Sequence, residues 1–507
     1  MPHDSLPLPD AAARRLALLS VCLASAAMPL TFTGTAVALP AVARALGGTP
    51  IAMAWATNAF MLAFGSALMA AGALADACGR RRVFLSGTLA FALASLALVF
   101  APNILVFDLL RAGQGLAAAA CYAGGSAALA QLFDGRARLR AFSLVGTSFG
   151  IGLSLGPIAS GLMIEAFGWR SIFLAVVAFA GFAFAVGRVA VRESRDPASA
   201  GVDWRGALGF TAMLALFTDG ILLVPERGWA DGLVLGLLAG SGLCLVLFVR
   251  AERRLARPML DLSLFRYPRF VGVQLLATAP AYGFVVLLIL LPVRFVGVEG
   301  MSEVAAGTLM IAMSAPLLVL PTAAGMLTRW FRPATICGTG LLVSAGGILW
   351  LALTPVGAPV PATALPMLVV GIGIGLPWGL MDGLAVSVVP RERAGMATGI
   401  FSTMRVAGEG VALAIVGALL AVFVAGRIDA AGIVGSAQGA GLRLAGGDLG
   451  GALALLPGVA PTRLVALYGE AFGRLLLLLA AITAATGLVV FLFLGREATE
   501  RSAEVAV

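Results

Sequence analysis

The chain has 507 residues, of which 60% are hydrophobic and 12% charged, with a mean hydropathy of +1.02. A water-soluble domain of this size cannot carry that balance on its surface, so the composition excludes one and implies an all-α polytopic membrane protein. A transmembrane β-barrel is excluded too, because the apolar runs are continuous and near twenty residues long rather than alternating.

The formal charge of +9 comes from basic residues that are all arginine. Most of them fall in short loops on one side of the predicted membrane, so the excess reads as topology and no nucleic-acid partner is expected. His3, the one histidine, lies in the polar tail, which removes imidazole from any proton relay in the membrane. Cys22, Cys78, Cys121, Cys244 and Cys337 lie in or beside apolar segments, with neither a CxxC pair nor metal-ligand spacing. They read as reduced core residues.

In chain order, the polar tail 1–15 leads into an apolar run that continues to about Pro40 with no small-residue cleavage site. It is expected to be a retained first helix rather than a signal peptide. Runs of about twenty apolar residues then predict some 14 spans: 16–39, 51–74, 83–101, 104–130, 141–165, 171–190, 206–224, 232–250, 270–292, 304–326, 334–353, 364–388, 395–425 and 470–494. An even number places both termini on one side. Arg80, Arg81, Arg82, Arg136, Arg138, Arg140, Arg253, Arg254, Arg257, Arg329, Arg332, Arg391 and Arg393 fall in loops of that side, and basic residues are retained in the cytoplasm. Far fewer, among them Arg44, Arg170, Arg227 and Arg294, fall on the other.

The hinge between the second and third spans, Gly72-Ala73-Leu74-Ala75-Asp76-Ala77-Cys78-Gly79-Arg80-Arg81-Arg82, resembles the loop 2–3 signature of the major facilitator superfamily. A degenerate copy, Gly325 to Arg332 with Thr328 where Asp76 stands, follows the second span of the last six, as repeated halves predict. The layout is therefore 6 + 2 + 6. It resembles the 14-helix drug:proton antiporter branch and implies two six-helix bundles (16–190 and 270–494) plus two extra central helices within a linker (191–269). A tail (495–507) and an external loop at about 426–467 complete it. That loop is expected to be a partly ordered linker rather than a functional lid.

Ser148, Gly152, Gly156 and Ser160 recur every four residues in the fifth span, a smooth face for close helix packing, and Pro157 bends the run. Packing alone accounts for these residues. The pattern Gly152, Gly156, Pro157, Gly161 also resembles the superfamily's antiporter motif, and the expectation of efflux rests mainly on it. Gly168-Trp169-Arg170-Ser171-Ile172-Phe173 and Asp261-Leu262-Ser263-Leu264-Phe265-Arg266 resemble further segments of the same branch. They support family rather than mechanism.

In the fourth span Arg111 is costly at membrane depth unless paired or facing a wet cavity. Asp108, one turn earlier, offers a structural pair. Arg111 followed by Gln114-Gly115 resembles instead the superfamily motif implicated in proton coupling. Asp219, Asp382 and Glu409 are the remaining carboxylates at membrane depth, candidates for loading and releasing a proton, with Arg405 four residues before Glu409 as a structural alternative. In the first span the branch commonly shows Asp and Asn where this sequence has Thr31 and Ala36, which argues against broad cationic multidrug transport.

Without lysine a Walker A loop is impossible, so ATP-driven transport by this chain alone is excluded. HExxH, GxSxG on a strand-to-helix turn and Cys/His clusters are missing as well, and neither an enzyme, a cofactor nor a metal is expected. The reading is a proton-coupled exporter of small amphiphilic compounds such as drugs or antibiotics. Its partners are substrate, protons and membrane lipids, a monomer is the expected form, and accessory efflux components are left open. It places the chain in the inner membrane, with Trp55, Asn58, Gln114, Tyr122 and Trp378 as candidate cavity residues. A narrow-specificity metabolite exporter and a transport-dead receptor or scaffold are the alternatives.

Overall fold

The computed structural model describes residues 11–133, 135–195, 203–254, 262–388 and 394–495. The first six spans are α1 (Ala11–Leu46), α2 (Pro50–Cys78), α3 (Arg80–Val99), α4 (Ile104–Leu132), α5 (Gly135–Phe167) and α6 (Arg170–Ala190), followed by α7 (Trp204–Arg227) and α8 (Gly232–Glu252). Thirteen helices are long and apolar enough to cross a membrane among the described residues, and fourteen when α5, bent by 40° between Leu153 and Leu155, counts as one span. The polar tails and the loop arginines Arg257, Arg391 and Arg393 lie outside the described residues, as does Asp261.

Proline reshapes the second half. The ninth span is α9 (Pro268–Pro280) and α10 (Val286–Pro292), with π-helical segments Ala281–Val285 and Val293–Val298 after the two prolines. A proline removes one backbone donor from the ladder, and the looser π turn accommodates the loss. The tenth span is α11 (Glu303–Ser314) and α12 (Leu320–Leu327) joined by a 3-10 turn at Pro316, and the eleventh is α13 (Pro333–Ala352). The twelfth, α14 (Val360–Trp378) and α15 (Met381–Ser387), breaks after Pro377. The thirteenth is α16 (Ala394–Ala430) and the last α19 (Pro461–Gly495).

Within the first half α2 packs on α4, α1 on α5 and α6, and α3 on α4 and α6; within the second, α13 packs on α14 and α19. The halves meet along α5 with α11 and α2 with α16, while α8 pairs with α7, which leans on α2 and α16. Large aliphatic side chains such as Leu93, Leu109, Leu162, Leu247 and Leu492 stay exposed, an outer surface suited to hydrocarbon.

The loop after α16 departs from the expected partly ordered linker. It folds into two short helices, α17 (Ala437–Ala445) and α18 (Leu449–Ala454). Ala437, Ala440, Leu444, Ala452 and Leu456 are buried in the main core. Ser436 and Asp448 cap the two helices by accepting from Gly439 and Gly451, so the small, Gly-rich composition serves close packing: Gly441 sits on Ala421 and Ala425, and Gly447 on Gly297.

Candidate functional site

Two polar clusters lie inside the bundle, one in each half. In the first, Arg111 is fully buried. Its Nε donates to the Ala56 carbonyl at 2.9 Å, and its Nη1 donates to Gln114 Oε1 at 2.5 Å and to Thr31 Oγ1 at 3.2 Å. Gln114, also fully buried, donates onward to Ser95 Oγ at 2.7 Å. The guanidinium carbon lies 4.6 Å from the Phe60 ring centroid, a cation–π contact strengthened by the absence of water. The structural pair expected from Asp108 does not close: no hydrogen bond or ion pair joins it to Arg111, and its Oδ1 is buried without a partner. Arg111 Nη2 is likewise buried and unpartnered. Thr31 supplies a neutral oxygen to this cation.

In the second cluster the i,i+4 pair expected between Arg405 and Glu409 is replaced by one across helices. Arg405 Nη1 on α16 donates to Asp382 Oδ1 on α15 at 3.3 Å, with 10% of the Arg405 side chain and 59% of the Asp382 side chain exposed. Glu409 is 4% exposed, and no hydrogen bond or ion pair reaches it from the described residues. Tyr122, half-buried on α4, lies near the Arg405 guanidinium. This contact links the halves.

Aromatic rings join the two clusters. Phe60 lies 5.8 Å from Phe64, and Phe64 meets Tyr122 edge-on at 6.2 Å, the latter a geometry favoured by the ring quadrupole. One contact path therefore runs from Arg111 through Phe60, Phe64 and Tyr122 to Arg405.

The hinge residues build a third cluster. Asp76 accepts from Arg80 Nε and Nη2 at 2.9 and 2.8 Å, and Gly79 turns the chain with φ 114°. Glu193, after α6, accepts from the Arg81 backbone at 3.1 Å and pairs with Arg82 at 3.5 Å. Arg81 Nη2 donates to the Arg188 carbonyl at 2.8 Å. Glu193 thus caps the start of α3, where a carboxylate also meets the positive end of the helix dipole. Sequence reasoning missed this residue; its signal was a lone acid among Arg188, Arg192 and Arg195. Gly72 has no neighbour in the space a side chain would take.

The small residues of α5 serve two partners. Gly152 and Gly156 abut Ala26, Pro29 and Thr33 of α1, whereas a Cβ on Gly161 would lie 2.5 Å from the Glu303 carbonyl of α11. A Cβ on Gly307 of α11 would in turn lie 2.7 Å from the Pro157 carbonyl. The motif therefore forms the joint between halves as well as a face within one.

The remaining candidates scatter. Trp55 packs beside Ile221 and Leu222 of α7, and Asp219 is half-buried on the same helix. Asn58 is buried, its Nδ2 donating to the Ala54 carbonyl at 2.9 Å and its Oδ1 unpartnered. Trp378 is buried edge-on to Phe284 at 6.2 Å, and Gln114 is consumed by the Arg111 cluster. Arg294, expected in an outer loop, is buried in the ninth span and pairs with Glu299 at 2.6 Å.

Comparison with known proteins decides the family. The sequence profile of the Major Facilitator Superfamily matches residues 21–413. The chain belongs to that superfamily. It is a multi-pass membrane transporter of small molecules rather than an enzyme. Relatives include the multidrug resistance protein Stp of Mycobacterium tuberculosis, 28% identical over 78% of this chain and 73% of that protein. The drug efflux pump JefA of the same species is 30% identical over 76% of each chain. The puromycin resistance protein of Streptomyces alboniger is 33% identical over 78% of this chain and 80% of its own length. Among solved structures, a bacterial homologue of the human lysosomal transporter Spinster, inward-facing and unoccupied, superposes with a TM-score of 0.64 at 16% identity, covering 96% of this chain and 98% of that one. That likeness carries the fold alone.

Proposed function

We propose that this transporter is a proton-coupled antiporter that expels small amphiphilic compounds such as drugs or antibiotics. Relatives named as drug efflux pumps and antibiotic resistance proteins, matched over about three-quarters of the chain, support efflux. The observation that carries proton coupling is a pair of intramembrane clusters, buried Arg111 in one half and, in the other, buried Arg405 and Glu409 with the more exposed Asp382, approached from the first half by Tyr122. Intramembrane ionisable groups are expensive and are kept chiefly for function. In this reading residues 16–190 and 270–494 rock about the central clusters, with 191–269 as a linker carrying two peripheral spans. Gly72, Asp76, Gly79, Arg80 and Arg81 gate the cytoplasmic side, Gly152, Gly156, Pro157 and Gly161 form the sliding joint, and the folded loop within 426–467 stands outside. Both termini face the cytoplasm of a cell whose inner membrane holds the protein.

Thr31 favours a second reading within transport, a narrow-specificity exporter of an endogenous metabolite, because the Arg111 cluster offers a cationic substrate no carboxylate in the first span. Cells expressing the chain test both. A broad antiporter extrudes ethidium and puromycin when energised, stops on addition of a protonophore, and raises tolerance to several unrelated compounds. Tolerance to one compound or none supports the narrow exporter, and extrusion indifferent to the protonophore contradicts proton coupling.

A further inference from the structure

We infer that Arg405 switches between two carboxylates, pairing with Asp382 while Glu409 carries the exchangeable proton, and that Tyr122 of the other half keeps it turned towards Asp382. The inference deepens the antiport reading and rests on it.

The two carboxylates differ in the property that decides which one needs the guanidinium. Asp382 is 59% exposed, so water can solvate it without the guanidinium. Glu409 is 4% exposed and receives no donor from the described residues. A desolvated carboxyl without a donor is favoured in its neutral form. Arg405 and Glu409 are four residues apart on α16, so their side chains share a face and one rotamer change brings guanidinium and carboxyl together.

What fixes the present rotamer comes partly from outside the helix. The guanidinium lies 5.6 Å from the Phe401 ring, one turn away from Glu409 in the opposite direction, and Tyr122 of α4 lies against it. Phe64 supports Tyr122 edge-on. Other charged and titratable groups on elements packed against α16 are engaged or exposed: Tyr282 bonds Thr486 at 2.5 Å, Glu470 pairs with Arg427 near the far end of α16, Asp76 pairs with Arg80, Arg443 pairs with Asp448, Arg269 is engaged, Arg474 is exposed, and Asp219 is on α7, whose Ile221 and Leu222 meet α16 at Ala414 and Ala418.

The step balances in protons. When the halves separate at Tyr122, Arg405 swings to Glu409, the Glu409 O–H breaks, and its proton passes to water reaching Asp382. Asp382 exchanges its guanidinium partner for water. The reverse rotation returns a proton to Glu409. Arg405 is a positioning residue here; it neither gains nor loses a proton.

The test needs no substrate. Full-length protein in lipid nanodiscs is titrated while infrared difference spectroscopy follows the C=O stretch of protonated carboxyl groups. Glu409→Gln is expected to abolish the band assigned to the exchangeable proton, and Glu409→Asp, which keeps a carboxyl, to retain it at a shifted frequency. Asp382→Asn and Tyr122→Phe both release Arg405 towards Glu409, so each keeps the band but moves its midpoint to lower pH by about one unit or more, as expected of a carboxyl gaining a cationic neighbour. A band that survives Glu409→Gln, that disappears at every pH in Asp382→Asn, or that keeps its midpoint in Tyr122→Phe overturns the inference. Absence of gradient-driven transport beside an intact titration pattern would overturn the antiport reading alone.

Discussion

At the scale of single residues, Arg111 shows how a buried cation is kept without a carboxylate bound to it. Its donors are spread over a backbone carbonyl, an amide and a hydroxyl on three helices, and its face is covered by Phe60. Lysine keeps the charge but cannot reach all three acceptors from one planar group. Arg111→Lys is therefore expected to lose at least one charge-assisted hydrogen bond, roughly 1.5–3 kcal/mol, and to lower transport about tenfold or more while the protein still inserts. Transport and thermal-unfolding measurements on one preparation check this. Gly79 makes a second residue-scale prediction. With φ 114° and the Glu193 carboxylate where a Cβ would stand, Gly79→Ala strains the turn by about 1–3 kcal/mol and displaces Glu193. The expected result is a lower melting temperature for Gly79→Ala, to which Glu193→Ala adds little because the cap is already displaced; an unchanged melting temperature, or fully additive losses, contradicts the assigned cap.

At the scale of elements, the α5–α11 joint depends on backbones in contact. Gly161→Val or Gly307→Val pushes side-chain atoms into the facing carbonyl, a cost of about 1–3 kcal/mol for overpacking, paid in whichever state holds the helices together. Each is expected to reduce transport strongly and to leave the Arg111 cluster intact, whereas Gly113→Val, at a site with no neighbour in the space of a side chain, is expected to be silent. The spans themselves were legible in the sequence because hydrocarbon demands continuous apolar runs with every backbone group bonded inside the segment. The ends were less legible: the first run was read as 16–39 and the helix covers Ala11–Leu46, since a helix extends past the hydrocarbon wherever polar residues keep helical geometry. Which charges pair was not legible. Spacing of four residues allowed Arg405 to meet Glu409, but α15 offers Asp382 nearer to hand, and only tertiary packing decides between them. Composition also misled at 437–454, where Gly and Ala reported intimate packing rather than a slack linker.

At the scale of the whole molecule, the halves are held by helix joints, α5 on α11 and α2 on α16, and by a few polar contacts such as Tyr122 on Arg405. A carrier that rocks needs interfaces of that kind, small-residue surfaces that slide and few charges that must be torn apart. The proposed direction of threading, with the triple-arginine hinge inside, rests on the arginine distribution. In right-side-out cells a membrane-impermeant thiol reagent is expected to leave Cys78, exposed beside Arg80, unlabelled until the membrane is permeabilised; labelling of intact cells at that residue would invert the topology. The central claim, that an inward proton flow drives substrate out, is tested most directly in proteoliposomes with an imposed pH gradient, recording puromycin and proton movement in the same vesicles. The account predicts opposite directions of flow, each abolished by collapsing the gradient and by Glu409→Gln. Puromycin movement at the same rate with and without the gradient would contradict it.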